Sequence, residues 1–560
     1  MSNYYQIDEH PETSLRGCAF YLAQDLTEPK AQAEVLARIV AHYLKTGELE
    51  LAAQALEPLY DVSDSHEREQ RFAELAALAS QHSHDDFAPQ LADACEDETW
   101  QDAARHDIAL AQAERGDYEA ARATADQLGY PEPTLVDIAR LAAETNETQA
   151  LALAEALEEP RSYAVILLEV ARQRVAAGQT IEALALLDKA AQILPGINLP
   201  DEQVEMLCTL GLRYAASGSV AQAATQISRA QAIAEDEADD RMLLRVAESW
   251  LTAGNIEKAL YVAEEIDAFD ISWLYANIAY AQARNGDFFA AHRLLDTLKD
   301  DYHKGRGCLF LARVYQETSD DENFRAQLQR AFILTRDSHT LTNEDVKTRD
   351  ALLGALAAEF LAAQDETKAR EIAALIPEGA PRDEAWARIA AQEADDGRFR
   401  NALTTAREVS PAERAPLQTA LLQRIAEFEA RTTRDWSLLH DALNSVEDFP
   451  ARLAARLQIA TYLAAQDAPE EAAKLRHTAQ TEAENEPHPA RAAAGLGALA
   501  AHSEGAKATQ LFSDAVRKTA HINDLYQLTR TLLDLAETQD ALGCNPDADA
   551  QAVLQQHLPV

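Results

Sequence analysis

The chain has 560 residues, of which 94 are Asp or Glu and 50 are Lys or Arg, so its formal net charge is −44. A surface this acidic repels phosphate groups, and we therefore expect it to bind neither nucleic acid nor anionic membranes. Hydrophobic residues make up 47% of the chain. Alanine and leucine dominate them and β-branched runs are scarce, which indicates an all-α protein.

Residues 1–11 are polar and lack the charged-then-apolar pattern of a signal peptide. No apolar run approaches 18 residues, so no membrane insertion is expected. The five cysteines are far apart and include no CxxC pair, which indicates neither a zinc site nor a disulfide framework. We expect a cytoplasmic protein with reduced thiols, without a metal or a cofactor.

The first elements are a leader and a capping helix within residues 1–30, the helix being predicted near Ser14–Asp25. An array of helical hairpins is then predicted over residues 31–335. Its first clear hairpin is Val35–Leu59, with a turn at Gly47, and its second, Phe72–Cys95, has an irregular turn.

Three similar passages follow one another between residues 205 and 298: Leu207–Ala230, Leu243–Ile266 and Tyr275–Leu298. Large apolar residues recur three and four positions apart, which places them on one face of a helix. A small residue lies seven positions before a turn glycine, where two helices would approach most closely. An amphipathic pair cannot bury its apolar face alone, so such pairs are expected to stack. The small residues are Gly211, Ala247 and Ala279, the turn glycines are Gly218, Gly254 and Gly286, and the second helices begin near Ala223, Ala259 and Ala291.

The pattern continues to the end of the chain and predicts about 13–14 stacked antiparallel hairpins. The longest step between turns, from about Ser319 to about Asp365, predicts an extended connection or hinge at residues 336–349. A second array is predicted over residues 350–520, and residues 521–560 are predicted to hold a capping helix at Leu525–Gly543 and a tail. The turns of the second array are predicted near Asp365, Gly397, Thr433, Asp467 and Ser503.

The passage Met206–Ala230 resembles the tetratricopeptide repeat (TPR) family. The large-small pair and the aromatic residue of that family's first helix are matched by Leu210, Gly211 and Tyr214, and its second helix by Ala223, Ile227 and Ala230. The match is looser elsewhere, with Trp250 and Gln282 in the aromatic position of the next two repeats and the closing proline mostly missing. The resemblance implies a right-handed α-solenoid whose first helices line a concave groove.

The resemblance also indicates which side chains would face that groove. Five arginines and two aromatic residues in the groove are unexpected in so acidic a chain, and they suit an acidic or carboxylate-ended peptide segment. The alternative is that these arginines pair with Asp and Glu of neighbouring helices. The inward positions hold Arg172, Arg241, Glu248, Trp273, Asn277, Tyr280, Arg284, Arg306 and Arg313.

Some members of the family clamp a C-terminal carboxylate, and two of the clamp positions are matched here by Asn277 and Arg306. The other clamp positions hold Leu244, Glu248 and Phe310, so the full clamp is absent.

Two weaker patterns favour ordinary structure over chemistry. His82, His84, Asp85 and Asp86 are metal-ligand types but occur in an irregular turn without a second cluster, which favours a solvated loop. Residues 305–307, Gly-Arg-Gly, are predicted to open a helix, where backbone amides could hold an anion, although turn formation and close packing are favoured.

No pair of carboxylates falls in a predicted apolar cleft, so the sequence offers no catalytic residue. It favours a non-catalytic scaffold or adaptor that binds a protein or peptide along a helical groove, and it leaves the oligomeric state open. The alternative is a TPR-type regulatory sensor whose groove binds a small molecule or short peptide and thereby alters the binding of a second protein.

Overall fold

The computed structural model describes residues 4–338, 343–432, 434–466 and 468–558. Within these ranges the protein is 79% helical, with 31 α-helices and no strand. Helices two to 29 follow one another as fourteen successive pairs in the described chain. The predicted all-α fold of about 13–14 helical hairpins is therefore confirmed.

The described residues form two compact units. Unit 1 contains the residues up to Thr134 and those from Gln418 onward, and unit 2 contains Leu135–Leu417. The predicted division into arrays at residues 31–335 and 350–520 stays a prediction.

The N-terminal part of unit 1 shows how local sequence sets the helix ends. The Asp64 carboxylate accepts hydrogen bonds from the backbone N–H groups of His66 and Glu67, at 3.1 and 3.3 Å, so a helix begins there. Gly47 ends another helix with a φ of +79°, a conformation that glycine adopts at little cost. The helices are α1 (Leu15–Ala23), α2 (Pro29–Thr46), α3 (Leu49–Leu56), α4 (Ser65–Gln81), α5 (Ala88–Asp93), α6 (Glu98–Glu114) and α7 (Tyr118–Ala125).

Unit 2 contains the three similar passages. Their turn glycines Gly218, Gly254 and Gly286 have φ values of +81°, +82° and +87°, as expected for left-handed turns. The helices that lie in unit 2 or cross its limits are α8 (Glu132–Thr145), α9 (Glu147–Ala154), α10 (Pro160–Ala176), α11 (Thr180–Ile193), α12 (Pro200–Ala216), α13 (Val220–Glu237), α14 (Asp240–Thr252), α15 (Ile256–Glu264), α16 (Ser272–Arg284), α17 (Phe288–Thr297), α18 (Asp301–Glu317), α19 (Asp321–Asp337), α20 (Asn343–Ala362), α21 (Glu366–Leu375), α22 (Ala380–Asp395), α23 (Phe399–Thr405) and α24 (Pro411–Arg431).

The C-terminal part of unit 1 continues the pattern of paired helices. Its hairpins α26–α27 and α28–α29 pack in sequence, and α28 also packs on α30. The helices are α25 (Ser437–Asn444), α26 (Phe449–Ala465), α27 (Pro469–Asn485), α28 (Pro489–Ala501), α29 (Gly505–Lys518), α30 (Leu525–Leu542) and α31 (Ala548–His557).

The two helices that were predicted as separate terminal caps, α1 and α30, pack against each other within unit 1. One hydrophobic core includes Phe20 and Leu36 from the start of the chain and Leu532 and Leu554 from its end, all fully buried. Ion pairs lie beside this core, since Arg16 binds Asp540 at 2.6 Å and Arg38 binds Asp534 at 2.8 Å. The two ends of the chain therefore fold as one body.

The predicted start of a helix at residues 305–307 is wrong. Helix α18 begins at Asp301, after Asp300 accepts a hydrogen bond from the backbone N–H of His303 at 2.7 Å. Gly305 and Gly307 lie inside the helix and are buried. A β-carbon at Gly307 would lie 2.3 Å from Leu295, so this glycine allows close packing and does not form an anion site.

The predicted connection at 336–349 includes residues 339–342, which lie outside the described residues, as do the predicted turn positions Thr433 and Asp467. Helix α19 ends at Asp337 and helix α20 begins at Asn343, so both helices extend into the predicted connection. In the described ranges, no helix combines the length and the apolar character that a membrane crossing would need.

Candidate binding site

Four of the predicted groove residues lie on one face of α16. Trp273, Asn277, Tyr280 and Arg284 are spaced by four, three and four positions, which brings them into one row along the helix. Each of the first three is partly buried, whereas Arg284 is exposed. The structure therefore brings these four residues together as the helical spacing implies.

The neighbouring helix α18 adds an aromatic contact to this row. The rings of Tyr280 and Phe310 are 5.2 Å apart between centroids, tilted by 45°. The guanidinium carbon of Arg306 lies 5.2 Å from the centroid of Phe310, within the range of a cation–π interaction. We call the six residues Trp273, Asn277, Tyr280, Arg284, Arg306 and Phe310 the α16–α18 face.

Arg284 is held at the other end of the aromatic pair. Its contact with the Tyr280 hydroxyl, assisted by the negative charge of Glu317, raises the pKa of the guanidinium. Arg284 is also the last residue of α16, where a positive charge is favoured by the partial negative charge of the helix C-terminus. Arg284 and Arg306 thus lie on opposite sides of the Tyr280–Phe310 pair along the helix axis.

The other predicted arginines differ in their partners. Arg172 on α10 pairs with Glu169, and Arg313 on α18 pairs with Glu359 at 2.7 Å. The alternative considered from the sequence, pairing with neighbouring carboxylates, is therefore correct for these two. Arg241 is exposed at the start of α14, and in the part of the chain described here it makes no ion pair.

Carboxylates interrupt the positive charge between α10 and the α16–α18 face. Glu205 on α12 binds Arg245 at 3.0 Å and Arg161 at 3.2 Å. Partial desolvation raises the pKa of the Glu248 carboxyl on α14, an effect that the positive charge of Arg245 opposes. The predicted groove is therefore not a continuous positive surface. Among the predicted groove arginines in the described chain, those that lie beside an aromatic ring and form no ion pair are Arg284 and Arg306, both on the α16–α18 face.

Phe310 is the residue of this face that the sequence analysis did not select. In the sequence, Phe310 was noted only because it occupies a position where the carboxylate clamp has a different residue. A signal was present, because Tyr280–Arg284 and Arg306–Phe310 are both aromatic–arginine pairs four residues apart, and residues at this spacing are neighbours on a helix surface.

The His82–Asp86 turn has structural contacts. The Nε2 atom of His84 lies 2.7 Å from the backbone oxygen of Leu44, and Asp85 accepts two hydrogen bonds of 2.8 Å from Arg115. These contacts connect the turn to α2 and α6. Nowhere in the described ranges do three His, Cys, Asp or Glu side chains gather as metal ligands would.

Four of the cysteines, Cys18, Cys95, Cys208 and Cys308, are buried and free of disulfides. Burial raises the pKa of Cys18 to about 12 and that of each of the other three to about 11. These thiols are therefore protonated at neutral pH, and none of the four takes part in a disulfide, as expected for reduced cysteines.

No protein-family model matches the sequence, and no curated protein matches it. Solved structures of helical-repeat proteins resemble the fold only distantly. Ton1535 from Thermococcus onnurineus NA1 is 15% identical, with 63% of this chain and 98% of that chain covered and a TM-score of 0.25. The human IFIT1 dimer with PPP-AAAA is 13% identical, with 84% and 94% covered and a TM-score of 0.24. Naa15/Naa10 bound to HypK-THB is 13% identical, with 82% and 80% covered and a TM-score of 0.26. Similarity this low carries no argument about function.

Proposed function

We propose that this protein is a non-catalytic, cytoplasmic interaction scaffold or adaptor, and that its α16–α18 face binds an acidic, extended segment of another protein. The observation that carries the proposal is the pair Arg284 and Arg306. Neither forms an ion pair with a carboxylate within the described chain, although the chain contains 94 Asp and Glu residues and Glu317 attracts the guanidinium of Arg284 without pairing with it. Guanidinium groups next to aromatic rings are well suited to bind carboxylates of a partner.

The spacing of the face specifies the segment further. Short turns connect α16 to α17 and α17 to α18, so α16 and α18 run in the same direction. Arg284 lies four residues after Tyr280, and Arg306 lies four residues before Phe310. At 1.5 Å per residue each arginine is about 6 Å from the aromatic pair, in opposite directions, so the two arginines are roughly 12 Å apart along the helix axis. An extended peptide advances about 3.3 Å per residue, so acidic residues three or four positions apart would contact both arginines.

The centre of the face favours an apolar side chain between those two acids. Tyr280 and Phe310 present a pair of rings there, and half-buried Trp273 lies at the start of α16. An aromatic or aliphatic side chain on these rings would remove apolar surface from water. The face consists of two guanidiniums, an amide, a phenol and two apolar rings, so it holds no general base, and the proposal assigns it no reaction.

The proposal is tested by titrating the full-length protein with a labelled peptide that has Glu at positions i and i+4 and Leu between them. The fluorescence anisotropy of the labelled peptide reports binding. We expect the double variant Arg284→Gln, Arg306→Gln to bind at least about tenfold more weakly, because a hydrogen bond to a charged group contributes about 1.5–3 kcal/mol and 1.4 kcal/mol is tenfold.

The matched control is Arg140→Gln with Arg172→Gln, which removes the same charge at two exposed arginines paired with Asp137 and Glu169. It should leave the affinity nearly unchanged. Equal weakening in both double variants would show only a general charge effect, and equal binding by all three proteins would eliminate the site.

A further inference from the structure

Unit 1 contains a cavity of about 570 Å³ between α26, α28 and α30. Helices α26 and α28 are the first helices of consecutive pairs, α30 follows them, and all lining residues lie between 449 and 534. The volume is within the range of about 300–1,000 Å³ that is typical of small-molecule sites.

The walls are mainly apolar, and small residues create the space. Phe449 and Leu453 of α26 form one wall. The facing side of α28 presents Ala490, Ala494 and Ala498, which recur every four residues and so form a row of methyl groups along the cavity. An acyl chain or a comparable apolar body would be shielded from water on this surface.

The charged lining residues of the cavity are two arginines and two aspartates, and both aspartates already have partners. Among its acidic lining residues, Asp534 is paired with Arg38 at 2.8 Å, and Asp524 accepts a hydrogen bond from the backbone N–H of Gln527 at 2.7 Å as the cap of α30. Arg530 lies over the ring of Tyr526, 5.6 Å from its centroid. Neither Arg530 nor the exposed Arg491 makes an ion pair in the described part of the chain.

The shortage of free polar groups argues against a peptide in this cavity. A peptide would bring backbone N–H and C=O groups that are costly to bury without partners. The hydroxyl of Thr531 already donates to the backbone oxygen of Gln527 at 2.7 Å. A ligand with an apolar body and one anionic end requires partners only at that end, where Arg491 and Arg530 are available.

We propose that this cavity binds a small amphipathic carboxylate of the fatty-acid type, with its chain along Ala490, Ala494 and Ala498 and its carboxylate at Arg491 and Arg530. This site lies in unit 1, whereas the α16–α18 face lies in unit 2, so the inference goes beyond the proposed function. Two lining residues also contact the start of the chain, since Tyr526 donates to Glu34 at 3.0 Å and Asp534 binds Arg38. A bound ligand would therefore stabilise the contact between the first and last helices.

The test uses the full chain and dodecanoate below its aggregation concentration, with binding followed by calorimetry and by the melting temperature. We expect saturable binding of one dodecanoate and a higher melting temperature, because a ligand that binds only the folded state stabilises it. Dodecylammonium, which has the same chain and the opposite charge, should bind at least about tenfold more weakly.

Two variants locate the site. Ala494→Phe places a ring in the cavity and should weaken dodecanoate binding at least about tenfold, whereas Ala358→Phe, at a cavity of about 310 Å³ in unit 2, should not. Arg491→Gln with Arg530→Gln should weaken dodecanoate binding but not dodecanol binding. Because Ala494 is exposed, the substituted ring should not disturb the buried core.

Three results would overturn the inference: no binding of dodecanoate, equal binding of dodecylammonium, or unchanged binding by Ala494→Phe. The acidic peptide designed for the α16–α18 face should not displace dodecanoate. If the acidic peptide does not bind, the proposal for the cavity still stands. If dodecanoate does not bind, the proposal for the α16–α18 face still stands.

Discussion

Gly211 lies so close to α13 that a β-carbon at this position would be 2.6 Å from the Cγ1 atom of Ile227. The alanines at the corresponding contacts of the next two hairpins, Ala247 and Ala279, are fully buried, as is Ala259 on α15. Small side chains at these positions let the paired helices approach, and larger ones would force them apart.

We predict that Ala259→Leu lowers the free energy of unfolding by about 1–3 kcal/mol, because extra methyl groups overpack a contact with no free volume. Thermal unfolding monitored by circular dichroism measures the loss. Ala221→Leu on α13 is the control, since Ala221 is exposed and its substitution should change stability by less than about 0.5 kcal/mol. An unchanged melt for Ala259→Leu would contradict the packing described for α14 and α15.

Single residues also mark the limit of sequence-based prediction of the site. The face of α16 was predictable, because the spacing of Trp273, Asn277, Tyr280 and Arg284 is local and helical. The state of Arg313 was not, because its partner Glu359 is 46 positions away on another helix. Whether an arginine is paired depends on such tertiary neighbours, which the periodicity of its own helix does not specify.

Three consecutive helices of unit 2 are connected by an ionic network. Glu366 on α21 binds Arg398, which precedes α23, at 2.7 Å, and binds Arg370 at 3.0 Å. Arg370 also reaches the buried Glu393 of α22 at 2.6 Å, and Thr405 of α23 donates to Glu393 at 2.7 Å. The network gives the buried Glu393 carboxylate charged and hydrogen-bonding partners, without which its burial would cost free energy.

The network makes the contribution of Glu366 pH-dependent. The hydrogen bond from Arg398 is the main cause that holds the pKa of Glu366 below its ordinary value of 4.5. A carboxylate whose pKa is lowered by folding stabilises the folded state at pH values above its ordinary pKa. This stabilisation is lost as the pH falls through the pKa of the folded state. We predict that Glu366→Gln is less stable than the wild type at about pH 7 by up to about 1 kcal/mol.

The difference in unfolding free energy between the two proteins should shrink as the pH falls below about 4. Denaturant melts at a series of pH values measure it, and taking the difference removes the effect of the large net charge, which both proteins share. Glu371→Gln on the same helix, where the exposed carboxylate pairs with Lys368, controls for loss of one charge. A gap that stays constant between about pH 7 and 3 would contradict the proposed linkage.

At the scale of the whole molecule, the repeated hairpins were predictable and the partition into units was not. Each hairpin follows from apolar periodicity, a turn residue and a small contact residue within a few dozen positions. The contact between α1 and α30 joins residues such as Arg16 and Asp540, which are 524 positions apart. No local sequence pattern specifies the contact between α1 and α30, so the two helices were predicted as separate caps.

We predict that Leu532→Ala on α30 destabilises both ends of the chain together. Leu532 is fully buried in the core of unit 1, and truncating a buried leucine costs about 2–5 kcal/mol. Hydrogen exchange should become faster in α1 and α2 as well as in α28 and α30. The control is Leu328→Ala, equally buried on α19 in unit 2, which should not accelerate exchange in α1. Unaltered exchange in α1 of Leu532→Ala would contradict a shared core.

The shared core of unit 1 has a consequence for biosynthesis. At about 5–20 residues per second, a ribosome needs roughly 26–105 s between the codons of Arg16 and Asp540. For most of that interval α1 and α2 lie outside the ribosome without α30, which packs against both of them. Until α30 is synthesised, the apolar side chains of α1 that it covers stay exposed to water, and a premature stop codon that removes only α30 and α31 would leave them exposed.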